Sequence, residues 1–136
     1  MTYPTIFVIC GEKNSGKTTL IEAVLPILAE RGYRVAVIKH DGHSFEPDVA
    51  GTDTRRFFDA GAAGTAVFDS EKFMLVKRQT VNERQLFEAF PDADIILIEG
   101  LKDSGYAKIR LTAGEWMDPA EAADRIEQTV QRQHER

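Results

Sequence analysis

The sequence has little cysteine, little histidine and no long hydrophobic run. Cys10 is the only cysteine among 136 residues, so the chain forms no internal disulfide and we expect it in a reducing compartment. No apolar stretch approaches the roughly 20 residues that a membrane-spanning helix needs. The chain also lacks an excess of positive charge: 22 acidic residues outnumber 17 basic ones, and the net charge of −5 argues against a nucleic-acid-binding groove.

The rest of the composition is that of a globular protein. Hydrophobic residues make up 43% of the chain and charged residues 29%, and a length of 136 residues suits a single domain over 1–136. The N-terminus enters a strand-like run almost at once, without the basic segment that opens a signal peptide. We therefore expect a cytoplasmic protein.

Strand-like and helix-like segments alternate along the chain. Apolar runs predict strands at 5–10, 34–39, 64–68, 73–78, 93–100 and 107–112. Helical periodicity with start and stop signals predicts helices at 17–31, 52–60, 82–90 and 118–133. The alternation predicts an α/β fold of three layers, with a mostly parallel central sheet, helices on both faces and a small hairpin. Ligands of such sheets bind beyond the carboxyl ends of the strands.

The segment after the first predicted strand fits a phosphate-binding loop, or P-loop. It matches G-x-x-x-x-G-K-[ST] from Gly11 to Thr18, between a strand and a helix as the motif requires. Glycines let backbone N–H groups surround a phosphate, Lys17 can reach the outer phosphates, and the Thr18 hydroxyl can ligate Mg²⁺. A purely structural turn is the less favoured alternative, so we predict the three-layer P-loop NTPase fold. The predicted nucleotide contacts are Gly11, Glu12, Lys13, Asn14, Ser15, Gly16, Lys17, Thr18 and Thr19.

Carboxylates at the same edge of the sheet are candidates to hold the Mg²⁺. Glu99 follows the most apolar strand directly, and Asp53 opens a short helix after the second strand. We favour Asp53 over Asp41 and Asp48 because the first turn of a helix would hold its side chain in place. The alternatives are an ordinary exposed acid for Glu99 and a charge that complements the helix dipole for Asp53.

Two clusters in the loop after the second strand have less certain roles. His40, Asp41 and His43 suggest a metal site, but no cysteine or fourth ligand accompanies them, so polar contacts to substrate or phosphate are favoured. Arg55 and Arg56 could bind phosphate, although adjacent helical residues cannot both face one ligand.

The residues that contact the base cannot be identified from the sequence. Many GTP-binding proteins carry N-K-x-D after a late strand, and this chain has no such segment. Trp116 could stack on a base, but we favour packing beneath the final helix.

Four segments resemble the MobB family, the molybdopterin-guanine dinucleotide biosynthesis adaptor proteins. They are "VICGEKNSGKTTLIE" at 8–22, "YRVAVIKHDGH" at 33–43, "DVAGTDTRRFFDAGA" at 48–62 and "DIILIEGLKDSGYAKI" at 94–109. The resemblance implies a GTP-binding protein, usually homodimeric, that acts beside the guanylyltransferase which attaches GMP to molybdopterin. It also implies that Thr18, Asp53 and Glu99 share the Mg²⁺ and that Arg56 occupies the position of the family's arginine. Gly42 and Phe57 depart from the family's pattern.

The function expected from residues and resemblance together is a GTP- and Mg²⁺-binding adaptor that assists the guanylyltransferase. Hydrolysis should be slow, because no glutamine lies in the P-loop or in the loops after 34–39 and 93–98 to orient the attacking water. The main alternative is an ATP-dependent small-molecule kinase or ligase, although no segment is long enough for an obvious lid. A carrier that binds molybdopterin directly is a third possibility.

Overall fold

A computed structural model describes residues 3–41 and 53–135 of the chain. The predictions for Gly42, His43, Asp48 and the helix cap at Thr52 lie outside these described residues. The chain divides into two compact units, Met1–His40 with Glu83–Arg136 and Asp41–Asn82, which we call the sheet unit and the hairpin unit. The single-domain organisation over 1–136 stays a prediction.

Within residues 3–41 and 53–135, six strands and four helices follow one another in the predicted order. The strands are β1 (Thr5–Gly11), β2 (Val35–Lys39), β3 (Gly64–Phe68), β4 (Phe73–Lys77), β5 (Ile95–Glu99) and β6 (Ala107–Leu111). The helices are α1 (Lys17–Glu30), α2 (Asp53–Asp59), α3 (Glu83–Phe87) and α4 (Pro119–His134). None of the helices among the described residues is both long enough and apolar enough to span a membrane.

The sheet unit contains a four-stranded parallel sheet in the order β2-β5-β1-β6. This is the predicted α/β architecture. Because all four strands run the same way, the ends of β1 and β5 meet at one edge, where Ile9 pairs with Glu99. The P-loop after β1 and the residues after β5 therefore leave the sheet at the same edge.

Both faces of this sheet are covered by apolar side chains. On one face Phe7, Ile9 and Leu97 belong to a cluster that includes the buried sides of α1 and α4. On the other face Val8 and Ile98 belong to a second cluster, against which Phe87 of α3 and Tyr106 pack. Successive strand residues point to opposite faces, so continuous apolar runs are needed where both faces are buried.

Polar contacts within the sheet unit join the C-terminal end of α1 to the middle of α4. Arg31 forms an ion pair with Asp124 at 2.9 Å, and the Tyr33 hydroxyl donates a hydrogen bond to Glu127 at 2.8 Å. These contacts fix the C-terminal end of α1 against α4, and thus help to orient the helix that carries the P-loop at its other end.

The hairpin unit contains the predicted antiparallel pair of β3 and β4, with Phe68 opposite Phe73. Its turn is closed by Asp69, whose carboxylate accepts hydrogen bonds from the backbone N–H groups of Glu71 and Lys72 and from the Lys72 ammonium. The Lys72 ammonium and the two N–H bonds lower the pKa of Asp69. These hydrogen bonds are local, so the connection between the two strands is stabilised by its own residues.

Candidate functional site

The P-loop runs from the end of β1 to the start of α1. Each of its two glycines is needed for a different structural reason. A side chain on Gly11 would place its Cβ 2.5 Å from the backbone oxygen of Leu111 and 2.7 Å from the Ser15 hydroxyl. Gly11 is therefore required by the close approach of β6. Gly16 has no such neighbour, but its φ of 94° lies in the left-handed region that glycine adopts without strain.

The N-terminus of α1 is arranged to receive an anion. Its N-cap is Gly16, which makes no side-chain capping bond, and no acidic residue lies in the first turn. The first N–H groups of a helix have no partner within the helix, and the dipole places partial positive charge at the same point. A phosphate group can satisfy both.

Side chains of the loop supply further polar groups. The Lys17 ammonium donates a hydrogen bond to the backbone oxygen of Gly11 at 3.0 Å, so it lies across the loop. The Ser15 hydroxyl oxygen is buried and has no hydrogen-bond partner among the described residues. Glu12, Lys13 and Asn14 are exposed at the turn. A buried hydroxyl without a partner is unfavourable, and a ligand oxygen or a water would satisfy it.

The structure brings together two of the three predicted metal ligands. The Thr18 hydroxyl donates a hydrogen bond to Glu99 Oε1 at 3.2 Å. Glu99 is half-buried at the end of β5, so it is not simply a solvated surface acid. A hydroxyl and a carboxylate beside a phosphate-binding loop are oxygen donors of the kind that Mg²⁺ prefers. Their role as ligands stays a prediction.

The third predicted ligand and the two arginines belong to the hairpin unit. Asp53 is the first described residue of α2, and Arg56 lies exposed in its last turn. Arg55 forms an ion pair with Asp59 at 2.9 Å. Within the described ranges 3–41 and 53–135, no group of three or more His, Cys, Asp or Glu side chains is placed to hold a metal ion. The contributions of Asp53 and Arg56 therefore stay predictions.

The segment after β5 is fastened by its own contacts. The His40 N–H donates a hydrogen bond to the backbone oxygen of Glu99 at 2.9 Å. The Lys108 ammonium donates to the backbone oxygens of Lys102 at 2.8 Å and Ser104 at 2.5 Å. Lys108 therefore orders this loop through two hydrogen bonds to its backbone.

The prediction that Trp116 packs beneath the final helix is wrong: its side chain is 81% exposed. The side of α4 that faces the core is filled by Ala122, Ala123, Ile126 and Val130, which join the same cluster as α1. These small and medium side chains let α4 pack closely, and the indole remains outside the core.

Trp116 instead lines a cavity of about 320 Å³ beside the P-loop. Ser15, Thr19 and Ala23 form one wall, and Glu115 and Trp116, from the segment after β6, form the other. Neither Glu115 nor this cavity was predicted from the sequence. Their position could have indicated them, because the segment after β6 begins at the same edge of the sheet as the P-loop.

Comparisons with known proteins identify a family. The family model described as "Molybdopterin guanine dinucleotide synthesis protein B" matches residues 6–130. A probable molybdopterin-guanine dinucleotide biosynthesis adapter protein of Bacillus subtilis is 39% identical over 111 residues, which are 79% of this chain and 64% of the relative. The Escherichia coli adapter protein is 36% identical over 104 residues, 71% of this chain and 59% of the relative.

Solved structures agree as well. The crystal structure of Bacillus subtilis MobB matches with a TM-score of 0.67 and 37% identity, covering 79% of this chain and 67% of that one. A MobB homolog from Bacillus stearothermophilus, at 20% identity and a TM-score of 0.64, covers 96% of this chain and 99% of that one and supports the fold alone. The chain spans about two thirds or less of the length of the Bacillus subtilis and Escherichia coli adapter proteins. The family match over most of the chain shows that it belongs to the MobB family, the molybdopterin-guanine dinucleotide biosynthesis adapter proteins.

Proposed function

We propose that this chain binds GTP with Mg²⁺ and acts in the cytoplasm as an adaptor in molybdopterin-guanine dinucleotide biosynthesis, assisting the guanylyltransferase. The observation that carries the proposal is the P-loop at the start of α1, with the Thr18–Glu99 pair beside it. The role of the relatives as biosynthesis adapter proteins supports the choice of pathway.

The site fits a triphosphate in both charge and hydrogen bonding. The uncapped first turn of α1 offers N–H groups, and Lys17 adds a positive charge within reach of the same loop. The hydrogen bond from Lys17 to the Gly11 oxygen is replaceable, because a phosphate oxygen is a stronger acceptor for an ammonium than a neutral carbonyl.

The oxygen donors beside the loop suit Mg²⁺. Thr18 and Glu99 would hold the ion, with Asp53 as a further ligand, and a bound Mg²⁺ would neutralise charge on the outer phosphates. This chain's residues would therefore orient the nucleotide from two sides: the backbone of the P-loop and the carboxylate at the end of β5.

Hydrolysis by the isolated chain should be slow. Gly11–Thr18 contains no glutamine, and neither do the segments that follow β2 and β5. We expect turnover on the order of 10⁻⁴ to 10⁻² per second, as in unassisted GTPases. A protein that retains GTP suits an adaptor that presents a nucleotide to another enzyme.

The proposal includes a homodimer formed through the hairpin unit. Phe68, Phe73 and Leu75 are 84%, 74% and 57% exposed in the single chain. Exposed apolar strands with unpaired edges favour pairing with another chain, and a second copy presents a matching surface.

The first experiment is calorimetric titration of GTP with Mg²⁺ into the unmodified protein, Lys17→Ala and Arg125→Ala. We expect Lys17→Ala to weaken binding about tenfold to a hundredfold, the value of one charged hydrogen bond. Arg125 is exposed on α4. Its substitution also removes one positive charge, but away from the P-loop, so this control should leave the affinity for GTP unchanged. Equal affinities for all three proteins would contradict the phosphate site.

The second experiment tests the adaptor role. A reconstituted guanylylation assay at limiting GTP should run faster with the unmodified protein than without it, and Lys17→Ala should remove the gain. No effect on guanylylation, together with phosphorylation of a small molecule by ATP, would favour the kinase or ligase instead.

A further inference from the structure

The cavity between α1 and the segment after β6 has no role in the phosphate site described above. It lies against Ser15 and Gly16 of the P-loop, and it extends along α1 past Thr19 to Ala23. Its volume of about 320 Å³ is at the lower end of the range for small-molecule sites, about 300–1,000 Å³. It is therefore large enough for part of a ligand whose remainder lies in the P-loop.

The sheet order separates the two sides of the P-loop. In the sheet β1 lies between β5 and β6. The Thr18–Glu99 pair lies on the β5 side, where a metal would hold the outer phosphates. The cavity lies on the β6 side, where Leu111 forms part of its wall. A nucleotide with its outer phosphates toward Glu99 would extend its nucleoside the other way, toward this cavity.

A buried polar group marks the boundary between loop and cavity. Ser15 is 8% exposed and lines the cavity, and its hydroxyl has no hydrogen-bond partner among residues 3–41 and 53–135. Buried hydroxyls are normally paired. An oxygen of a ligand that passes from the loop into the cavity would supply the missing partner.

The far wall has the chemistry of a base site. Trp116, the chain's only tryptophan, leaves an indole 81% exposed at the cavity, where a purine ring can stack on it. Glu115, which carries a carboxylate, also lines the cavity. Its backbone N–H donates a hydrogen bond to the backbone oxygen of Thr112 at 3.1 Å in the turn after β6.

A carboxylate can discriminate between purines. Guanine presents two adjacent donors, its ring N1–H and its exocyclic amine, which a carboxylate accepts as a bidentate pair. Adenine presents an acceptor at the ring N1, whose lone pair would repel a carboxylate oxygen. We propose that this cavity holds the base of the bound nucleotide, with Trp116 stacked on the ring and Glu115 selecting guanine, an inference that rests on the proposed function.

The test uses the full chain with Mg²⁺ and three probes: GTP, ATP and inorganic tripolyphosphate, which has phosphates but no base. Affinity is measured by calorimetry, and Trp116 fluorescence gives a second readout. We expect GTP to change the fluorescence and tripolyphosphate to bind without changing it. Trp116→Ala should weaken GTP binding about tenfold and leave tripolyphosphate binding unchanged. Glu115→Gln should reduce the preference for GTP over ATP at least about tenfold.

Matched controls keep the result interpretable. Tyr3→Ala removes another exposed aromatic ring, and Glu121→Gln neutralises another exposed acid, both outside the cavity. Trp116→Phe keeps a stacking surface and should retain most of the affinity.

Two different failures are distinguishable. If GTP and tripolyphosphate bind in a Lys17-dependent manner, but Trp116→Ala and Glu115→Gln change neither GTP affinity nor the GTP to ATP ratio, the base site is overturned and the phosphate site stands. If no triphosphate binds in a Lys17-dependent manner, the proposed function fails and this inference fails with it.

Discussion

Two strands with the same pattern of apolar and charged residues have opposite surroundings in this molecule. β5 reads IILIE and β4 reads FMLVK, so each has four apolar residues followed by one charged residue. In β5 the four apolar side chains are fully buried, whereas in β4 three of the four are exposed. Leu97 is 0% exposed and Leu75 is 57% exposed.

The number of neighbours explains the difference. β5 lies between β1 and β2 in a sheet with an apolar cluster on each face. β4 pairs only with β3 in the two-stranded sheet of the described residues. A two-stranded hairpin is marginal by itself, so an apolar run there indicates a surface that another chain can cover.

The largest expected effect comes from the same substitution in both strands. Leu97→Ala should lower the free energy of unfolding by about 2–5 kcal/mol, because it leaves a cavity in a closed core. Leu75→Ala, measured at a dilution that keeps the protein monomeric, should change it by no more than about 0.5 kcal/mol. Urea denaturation gives both values, and equal losses would remove the distinction between the strands.

Each unit is expected to contribute one carboxylate to Mg²⁺ binding. Glu99→Gln in the sheet unit and Asp53→Asn in the hairpin unit should each weaken Mg²⁺-dependent GTP binding about 10- to 100-fold, with a much smaller effect on metal-free binding. GTP titrations in the presence of Mg²⁺ and in the presence of EDTA measure the metal-dependent and the metal-free affinity separately. If Asp41→Asn reproduces the loss and Asp53→Asn has no effect, the ligand has been assigned to the wrong carboxylate.

Dimer formation should depend on the exposed apolar side chains of the hairpin unit. We expect the unmodified protein to have about twice the 15.2 kDa mass of one chain in sedimentation, and Leu75→Lys to raise the dissociation constant at least about tenfold. Leu86→Lys, a matched change at an exposed leucine of α3, should leave the mass unchanged. A mass near 15 kDa for the unmodified protein at high concentration would rule out the dimer.

The smallest expected effect concerns a long-range contact of the sheet unit. The Glu127 carboxylate, which accepts the Tyr33 hydrogen bond, raises the pKa of Tyr33 above its ordinary value. The folded state thus holds the phenol proton more tightly, so this stability is full below about pH 10 and is lost as pH rises through the folded pKa.

Tyr33→Phe should cost about 1 kcal/mol at neutral pH and flatten the fall in stability at alkaline pH. Denaturation curves from pH 8 to 11 test this, with Tyr3→Phe as the control. An unchanged pH profile for Tyr33→Phe would show that the bond does not contribute in solution.

Most of the fold was predictable because its signals are local. The P-loop motif fixed the end of β1 and the start of α1, and Asp118-Pro119 marked the start of α4 as observed. Helix 82–90 was predicted too long, since α3 ends at Phe87 and the following residues form turns, with Phe90 donating to the Phe87 oxygen. Helix ends fray into such turns, and sequence signals place them only within a few residues.

The candidate site was predictable in part. Lys17, Thr18 and Glu99 were identified because a motif and a strand end define them. Glu115 and the exposure of Trp116 were not, because both depend on how closely α4 packs through Ala122 and Ala123. The residues near Trp116 in the sequence do not indicate whether α4 leaves room for the indole in the core.

The amino-acid pattern alone predicts which segments become strands and helices, where the phosphate-binding loop lies and which family the chain resembles. These properties depend on backbone preference, periodicity and turn chemistry over a few residues. The folded structure was needed to show that β5 is buried and β4 exposed, that Thr18 meets Glu99 across 81 residues of chain, and that a cavity opens beside Trp116. Burial and contacts between distant side chains depend on which segments pack together, and a local sequence pattern does not contain that information.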